Sequence, residues 1–305
     1  SDECLGDDAT ASITGNLADG MYTITYDLGA PNAVTGNTAT TTISGGNGTF
    51  IVSNTDLTST STTNVLTITS VQSQAGATCT VGSLSVASGN FAVEPLPDVS
   101  SLAVSVGATV CEDEDATATI SGSLTDATYT ITFDISGGIN DASGLTATVT
   151  TTGGGGTFVV TSSDLHTAGS GNIVTITSVQ STTGQMCSTS GLTVPSSSFT
   201  TEAAPVISGL GVSVSDECLG DDATASITGN LANGMYTITY DLGAPNVVTG
   251  NTATTTISGG SGTFIVSNTD LTGTSSTNVL TITDVTSQSG QLCTVGSVGV
   301  SSTNF

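Results

Sequence analysis

Six cysteines, a recurring set of acidic clusters and a single histidine carry the reactive chemistry of this 305-residue chain. Cys4, Cys111 and Cys218 are each 107 residues apart, and Cys79, Cys187 and Cys293 follow at intervals of 108 and 106. One early and one late cysteine therefore recur, 75, 76 and 75 residues apart. An even count with one pair per unit predicts the bridges Cys4–Cys79, Cys111–Cys187 and Cys218–Cys293, formed in an oxidising compartment. The alternative, free buried thiols, leaves the threefold coincidence without a shared cause. Closing each loop would stabilise its unit by about 4 kcal/mol through lost chain entropy. One difficulty stands against this pairing: simple sandwich order puts the two cysteines of a unit at opposite poles, so the first strand must bend or split to bring them together.

The second constellation is acidic. Asp2, Glu3, Asp7 and Asp8 surround Cys4, and they return as Asp216, Glu217, Asp221 and Asp222 around Cys218, and as Glu112, Asp113, Glu114 and Asp115 after Cys111. Asp27, Asp134 and Asp241 end a later strand, and Asp56, Asp164 and Asp270 occupy the turn that follows. Hard oxygen ligands converging near a domain joint, with no competing cation, are what Ca²⁺ requires, so these residues are candidate calcium ligands. The competing reading is that they are solvated loop carboxylates that keep a weakly charged chain soluble. No EF-hand spacing is present, no cysteine has the neighbours zinc needs, and no cofactor is required.

His166 stands where the other two units have Thr58 and Thr272, so a catalytic base is not the reading; a surface turn is. Serine and threonine abound, but without a base beside them they form strands rather than nucleophiles. The run Gly153 to Gly156 is a turn, since no lysine and no helix follow it. The sequon Asn47-Gly48-Thr49 is replaced in the third unit, where Ser261 stands.

Composition narrows the function classes further. The chain has no Lys or Arg against 25 Asp and Glu, for a formal charge of −25. It cannot neutralise phosphates, which excludes nucleic acid and polybasic membrane attachment, and it can offer neither an arginine finger nor a lysine Schiff base. No apolar run approaches the roughly 20 residues a membrane helix needs. The start, Ser1-Asp2-Glu3-Cys4, lacks the character of a signal peptide, as expected of a mature, soluble piece. An enzyme is not expected.

These residues sit on a repeat. Residues 1–91 return as 215–305 with 77 of 91 positions identical, and a diverged copy lies between them. The expected division is 1–91, a linker at 92–98, then 99–199, a linker at 200–205, and 206–305. Within each unit apolar residues alternate: Tyr22, Ile24, Tyr26 and Leu28 share one face, with Thr23, Thr25 and Asp27 on the other. Thr38 to Ile43, the glycine-rich turn 45–48 and Thr49 to Val52 read as a hairpin. Ala9 to Thr14, Asn64 to Val71 and Val81 to Val86 add strands, and Ser101 to Val106 and Leu210 to Val214 open the second and third units. About seven short strands per hundred residues predict an all-β fold, a tandem array of three immunoglobulin-like β-sandwich domains with one disulfide each. The first unit lacks the opening strand, which points to a cut from a longer array, with a strand donated by a neighbouring chain as the alternative.

The pattern Cys111, Ala116 to Gly122, Tyr129 to Asp134, Gly156-Thr157-Phe158, Val174 to Val179 and Cys187 resembles the immunoglobulin-like repeats of very large surface proteins of the Bacteroidota, similar to flavobacterial gliding-motility adhesins and other type IX secretion substrates. The resemblance implies export to the cell surface, a filamentous stalk of many repeats and a terminal sorting domain. The expected function is a non-enzymatic, extracellular stalk or filament segment of a surface adhesin, whose partners are neighbouring repeats or other chains of a filament. The alternatives are a glycan- or protein-binding sandwich module, disfavoured by the absence of Trp and only five Tyr, and a strand-donating filament subunit.

Overall fold

In a computed structural model of the chain, which describes every residue but Ala77, Ser289 and Gln291, the fold is all-β; the described residues hold no α-helix, only one 3₁₀ turn at Ser162–Asp164. The period of two seen in the sequence sets the burial. Along Gly20–Leu28, Ile24, Tyr26 and Leu28 are buried while Met21, on the opposite face, is 52% exposed. Along Thr128–Ser136 the buried set is Tyr129, Ile131, Phe133 and Ile135.

The middle repeat displays the whole strand set. Ala103–Val106, Ala116–Ser121 and Gly156–Val160 form one antiparallel sheet. The facing sheet runs Ala142–Thr150, Thr128–Ser136, Gly169–Ser181, Ser188–Pro195, all antiparallel. Phe199–Glu202 pairs with the beginning of Gly169–Ser181, and Thr109–Cys111 adds to it in parallel. Apolar side chains of the two sheets meet in one core, where the rings of Phe133 and Phe158 lie 5.0 Å apart. Residues of the first and last repeats gather in two further cores, so the described residues form three separate clusters.

The turn at Gly45 and Gly46 is not a hairpin within one sheet. Val34–Ile43 pairs with Gly20–Leu28 and Asn47–Val52 pairs with Ala9–Thr14, so the chain crosses between sheets here, held by the single bridge Ser44↔Asn47. Both central glycines have positive φ, +58° and +81°, and a Cβ on Gly46 would collide with the carbonyl oxygen of Gly15. The residues read as linker also begin as strand: Phe91–Glu94 and Phe199–Glu202 carry the chain out of the first and second repeats.

The first and last repeats form an internal control. The last has its opening strand, Gly211–Val214, paired with Ala223–Thr228; in the first, the identical sequence Ala9–Thr14 pairs on one side only. Ala225 and Ile227 are accordingly buried, whereas their counterparts Ala11 and Ile13 are half-exposed. Ile68 and Val71 are half-exposed where Ile282 and Val285 are fully covered. Truncating a buried isoleucine costs about 2–5 kcal/mol, and less where water already reaches it. Ile227→Ala is therefore expected to cost about 3 kcal/mol and Ile13→Ala about half of that or less, read from native-state hydrogen exchange of Ala223–Thr228 against Ala9–Thr14.

Candidate functional site

The two disulfides of the structure both run between repeats. Cys4 is bonded to Cys187 and Cys111 to Cys293, with Cα–Cα distances of 5.5 and 5.6 Å, and all four residues are buried. Cys79 and Cys218 are free and exposed. The expected pairings Cys4–Cys79, Cys111–Cys187 and Cys218–Cys293 are thus replaced by an early cysteine joined to the late cysteine of the next repeat.

Strand geometry gives the reason. Cys111 lies beside Glu202, whose carbonyl accepts the N–H of Glu112 at 2.8 Å, close to where Gly169 pairs with Thr201. Cys187 lies at the other end of the same strand, its carbonyl accepting the N–H of Ser181 at 2.9 Å. The 13-residue strand Gly169–Ser181 separates the two poles by about 40 Å. A disulfide needs Cα atoms within about 7 Å, so no bend in one short strand closes that gap. The sulfur within reach belongs to the neighbouring repeat.

Each joint is tightened by polar contacts. Across the first, Glu94 Oε2 accepts the backbone N–H of Gln185 at 2.7 Å, and the hydroxyl of Thr189 donates to the carbonyl of Pro97 at 3.2 Å. The Glu94 carboxylate lies over Gly184, whose φ of +65° opens the loop to receive it, and the Glu202 carboxylate lies over Gly290 in the same way at the second joint. Pro97 and Pro205 are both buried in the joints. The strand that carries Glu202 is pinned from below by a buried amide network in which Asn172 Nδ2 and Asn140 Nδ2 donate to Thr201 Oγ1 at 3.0 and 3.3 Å. Neither these asparagines nor Glu94 and Glu202 stand out as functional residues in the sequence. The shared spacing Phe91-x-x-Glu94 and Phe199-x-x-Glu202 is the signal that marks the glutamates.

The acidic residues are placed one by one on loops. Asp8, Asp115 and Asp222 each accept a turn N–H, from Asn54, Ser162 and Asn268, all at 2.7 Å. Asp27, Asp134 and Asp241 accept the N–H of Gly36, Gly144 and Gly250. Asp2 accepts from Ala92 N–H, Glu3 from the Ser1 hydroxyl and Glu217 from the Ser215 hydroxyl. Glu112 holds Ala168 N–H with one oxygen and the linker N–H of Ala204 with the other. Asp164 takes the Thr161 hydroxyl. Asp7, Asp113, Glu114, Asp216 and Asp221 are exposed on their loops. Among the described residues, no three of His, Cys, Asp and Glu are gathered in a way that could hold a metal ion, so the set named as candidate calcium ligands is dispersed over separate turns. His166 is exposed, with Nδ1 3.1 Å from the carbonyl of Ser163.

Asp56 and Asp270 serve the core edge. Asp56 Oδ2 accepts both the Tyr26 hydroxyl, at 3.2 Å, and Asn37 Nδ2, at 2.6 Å; Asp270 accepts from Asn251 Nδ2 beside Tyr240. Burial, reinforced by the Asp56 charge and hydrogen bond, pushes the Tyr26 hydroxyl up to about 12, and burial raises Tyr240 in the same sense.

No family model matches the chain, and no curated protein matches it. Among solved structures, the FN1–FN3 domains of chicken CNTN1 align over 98% of this chain and 92% of that one, at 13% identity and a TM-score of 0.34. Trypsin-activated alpha-2-macroglobulin from Escherichia coli aligns over 99% of this chain and 23% of that one, at 10% identity and a TM-score of 0.24.

Two outcomes are expected at these sites. Alkylation of the folded, unreduced chain should label Cys79 and Cys218 alone, and peptide mapping without reductant should recover peptides joining Cys4 to Cys187 and Cys111 to Cys293; a linked Cys111–Cys187 peptide would refute the assignment. The raised folded-state value of Tyr26 favours its neutral form, so the stabilisation is complete below the unfolded value near 10 and is lost as pH rises through about 12. The fall in stability between about pH 10 and 12 should accordingly be smaller in Tyr26→Phe, which has no phenol to ionise at that position, as read from denaturation midpoints across that range.

Proposed function

We propose that the chain is a non-enzymatic tension-carrying segment of an extracellular stalk, a tandem array of three immunoglobulin-like sandwiches whose job is reach and mechanical continuity at a cell surface. The observation that carries this reading is the disulfide connectivity. Every joint between repeats is crossed by two covalent connections, the linker and a sulfur bridge. Tension arriving at Asp98 can leave the middle repeat through Cys111 after 13 residues, and tension arriving at Cys187 can leave at Glu202 after 15. Residues 112–186, most of the sandwich, lie outside both paths. Each short path reaches about 50 Å at full extension, near the folded length of the repeat, whereas the unbridged chain from Asp98 to Glu202 would reach about 350 Å. A repeat wired in this way cannot be drawn out by force while its bridges are intact.

The other features agree with such a role. The disulfides suit an oxidising environment outside the cytoplasm. A chain without Lys or Arg gives trypsin-like proteases no cleavage site. The resemblance to giant Bacteroidota surface repeats points in the same direction. Calcium remains an auxiliary proposal, confined to single loop carboxylates rather than a built site.

Single-molecule pulling between handles at Leu96 and Asn304 tests the reading. The bridged route through Cys111 and Cys293 holds 26 residues, so the oxidised chain is expected to stop at about 90 Å, and the reduced chain, with 208 residues between the handles, should extend to about 700 Å. Release of a whole repeat's length from the oxidised chain would overturn the proposal.

A further inference from the structure

Repeats 2 and 3 are each completed by three things that the chain supplies at the joint before them. The first is an opening strand, Ala103–Val106 or Gly211–Val214, laid against the sheet edge. The second is a glutamate, Glu94 or Glu202, over a left-handed glycine. The third is a sulfur, bonded to Cys187 or Cys293. Repeat 1 leaves the three corresponding receiving positions open. A groove of about 610 Å³ runs between Ala9–Thr14 and residues 86–91, floored by Phe50, Leu66 and Ile68. Gly76 has φ +66°, as Gly184 and Gly290 have +65°, and open space where a Cβ would stand. Cys79 is free and exposed.

We propose that these positions of repeat 1 form a receiving site for another repeat of the same sequence kind, which lays its linker strand in the groove, sets its exit glutamate over Gly76 and bonds its first cysteine to Cys79. The occupant is defined by chemistry visible at both internal joints: a Phe-x-x-Glu exit strand, a buried linker proline, and an alternating apolar strand like Leu102, Val104 and Val106. In the register of the middle repeat, where Ala103↔Ser121 runs to Val106↔Ala118, the incoming strand would pair with Ala11 through Thr14. It would cover Ile13, Ile68 and Val71, the side chains left half-exposed here and buried in the last repeat. A second copy of this chain supplies a free sulfur at Cys218, but its own strands Ala103–Val106 and Gly211–Val214 are already paired, so it has no strand to offer. The bond to Cys79 forms by exchange with a low-molecular-weight disulfide: one thiolate displaces a thiolate from the oxidant, and the second thiolate attacks the mixed disulfide and expels the other. Two protons leave the protein thiols, and the oxidant is reduced to two thiols.

This inference rests on joint geometry and not on the mechanical reading, so either can fail alone. A synthetic peptide of residues 91–106, added to the whole chain, is expected to bind one per chain and to slow amide exchange along Ala9–Thr14. Val104→Asp in the peptide should weaken binding by about tenfold or more, since it removes a buried valine. Binding indifferent to that change, no protection of Ala9–Thr14, or dimerisation of the peptide-free chain through these positions would overturn the proposal. A second measurement uses the chain extended ahead of Ser1 by a copy of residues 99–214 and oxidised with glutathione disulfide. Cys79 should become resistant to alkylation and map to the first cysteine of the added repeat; a folded extended chain in which Cys79 still labels would also refute it.

Discussion

A disulfide tolerates only about 7 Å between α-carbons, and a 13-residue strand holds the two cysteines of one repeat about 40 Å apart. The rest of the organisation follows from that mismatch. Repeats 1 and 2 send the bond of their early cysteine to the next repeat, and repeats 2 and 3 receive it at their late cysteine, so the faces that meet are different surfaces of the same fold. Such a contact is heterologous, with a different surface contributed from each side. The joint becomes as much a designed part of the fold as the core, with a buried proline, a glutamate docked on a loop and an asparagine network beneath the exit strand.

The copies differ to unequal degrees: residues 1–91 and 215–305 agree at 77 of 91 positions, while the stretch between them has diverged and yet is the repeat bridged on both sides. The middle repeat shows how much freedom remains. It substitutes Phe133 for the tyrosine found at Tyr26 and Tyr240 and loses the tyrosine–aspartate contact, yet retains Cys111, Cys187, Glu202 and the ring pair of Phe133 with Phe158. A core of Val, Ile and Phe can be repacked at small cost, whereas a sulfur at a joint has one position.

Much of the fold was legible because strands announce themselves locally. Alternation along Gly20–Leu28 and Thr128–Ser136 gave both the strands and their buried faces, and the repeat period gave the spacing of the cores. The corner at Gly45 and Gly46 misleads because a glycine turn between two strands looks the same whether the strands share a sheet or change sheets. The cysteine pairing misleads for a deeper reason. One early and one late cysteine per repeat is the composition required by pairing within a repeat and by pairing between repeats alike, and only the distance between poles separates the two. That distance was already implicit in the conflict between sandwich order and the pairing of Cys4 with Cys79. Glu94 and Glu202 stayed hidden because a carboxylate in a proline-containing segment looks like solvated linker until the glycine loop opposite it is seen.

The carboxylates show what a protein does with negative charge when it has no lysine or arginine to pair it with. A bound carboxylate needs donors, and with lysine and arginine absent these are backbone N–H groups in turns, as at Asp8, Asp115 and Asp222, or neutral side-chain amides and hydroxyls, as at Asp56 and Asp164. Each contact of the first kind ties one loop to the start of another, so the charges fix the poles of the sandwich rather than assembling a site. The same device recurs in every repeat, with Asp8, Asp115 and Asp222 each accepting a backbone N–H at 2.7 Å. Glu112 carries the logic to the joint: one carboxylate holds the loop at Ala168 and the linker at Ala204, so the pole of one repeat and the departure of the chain toward the next are set by the same side chain.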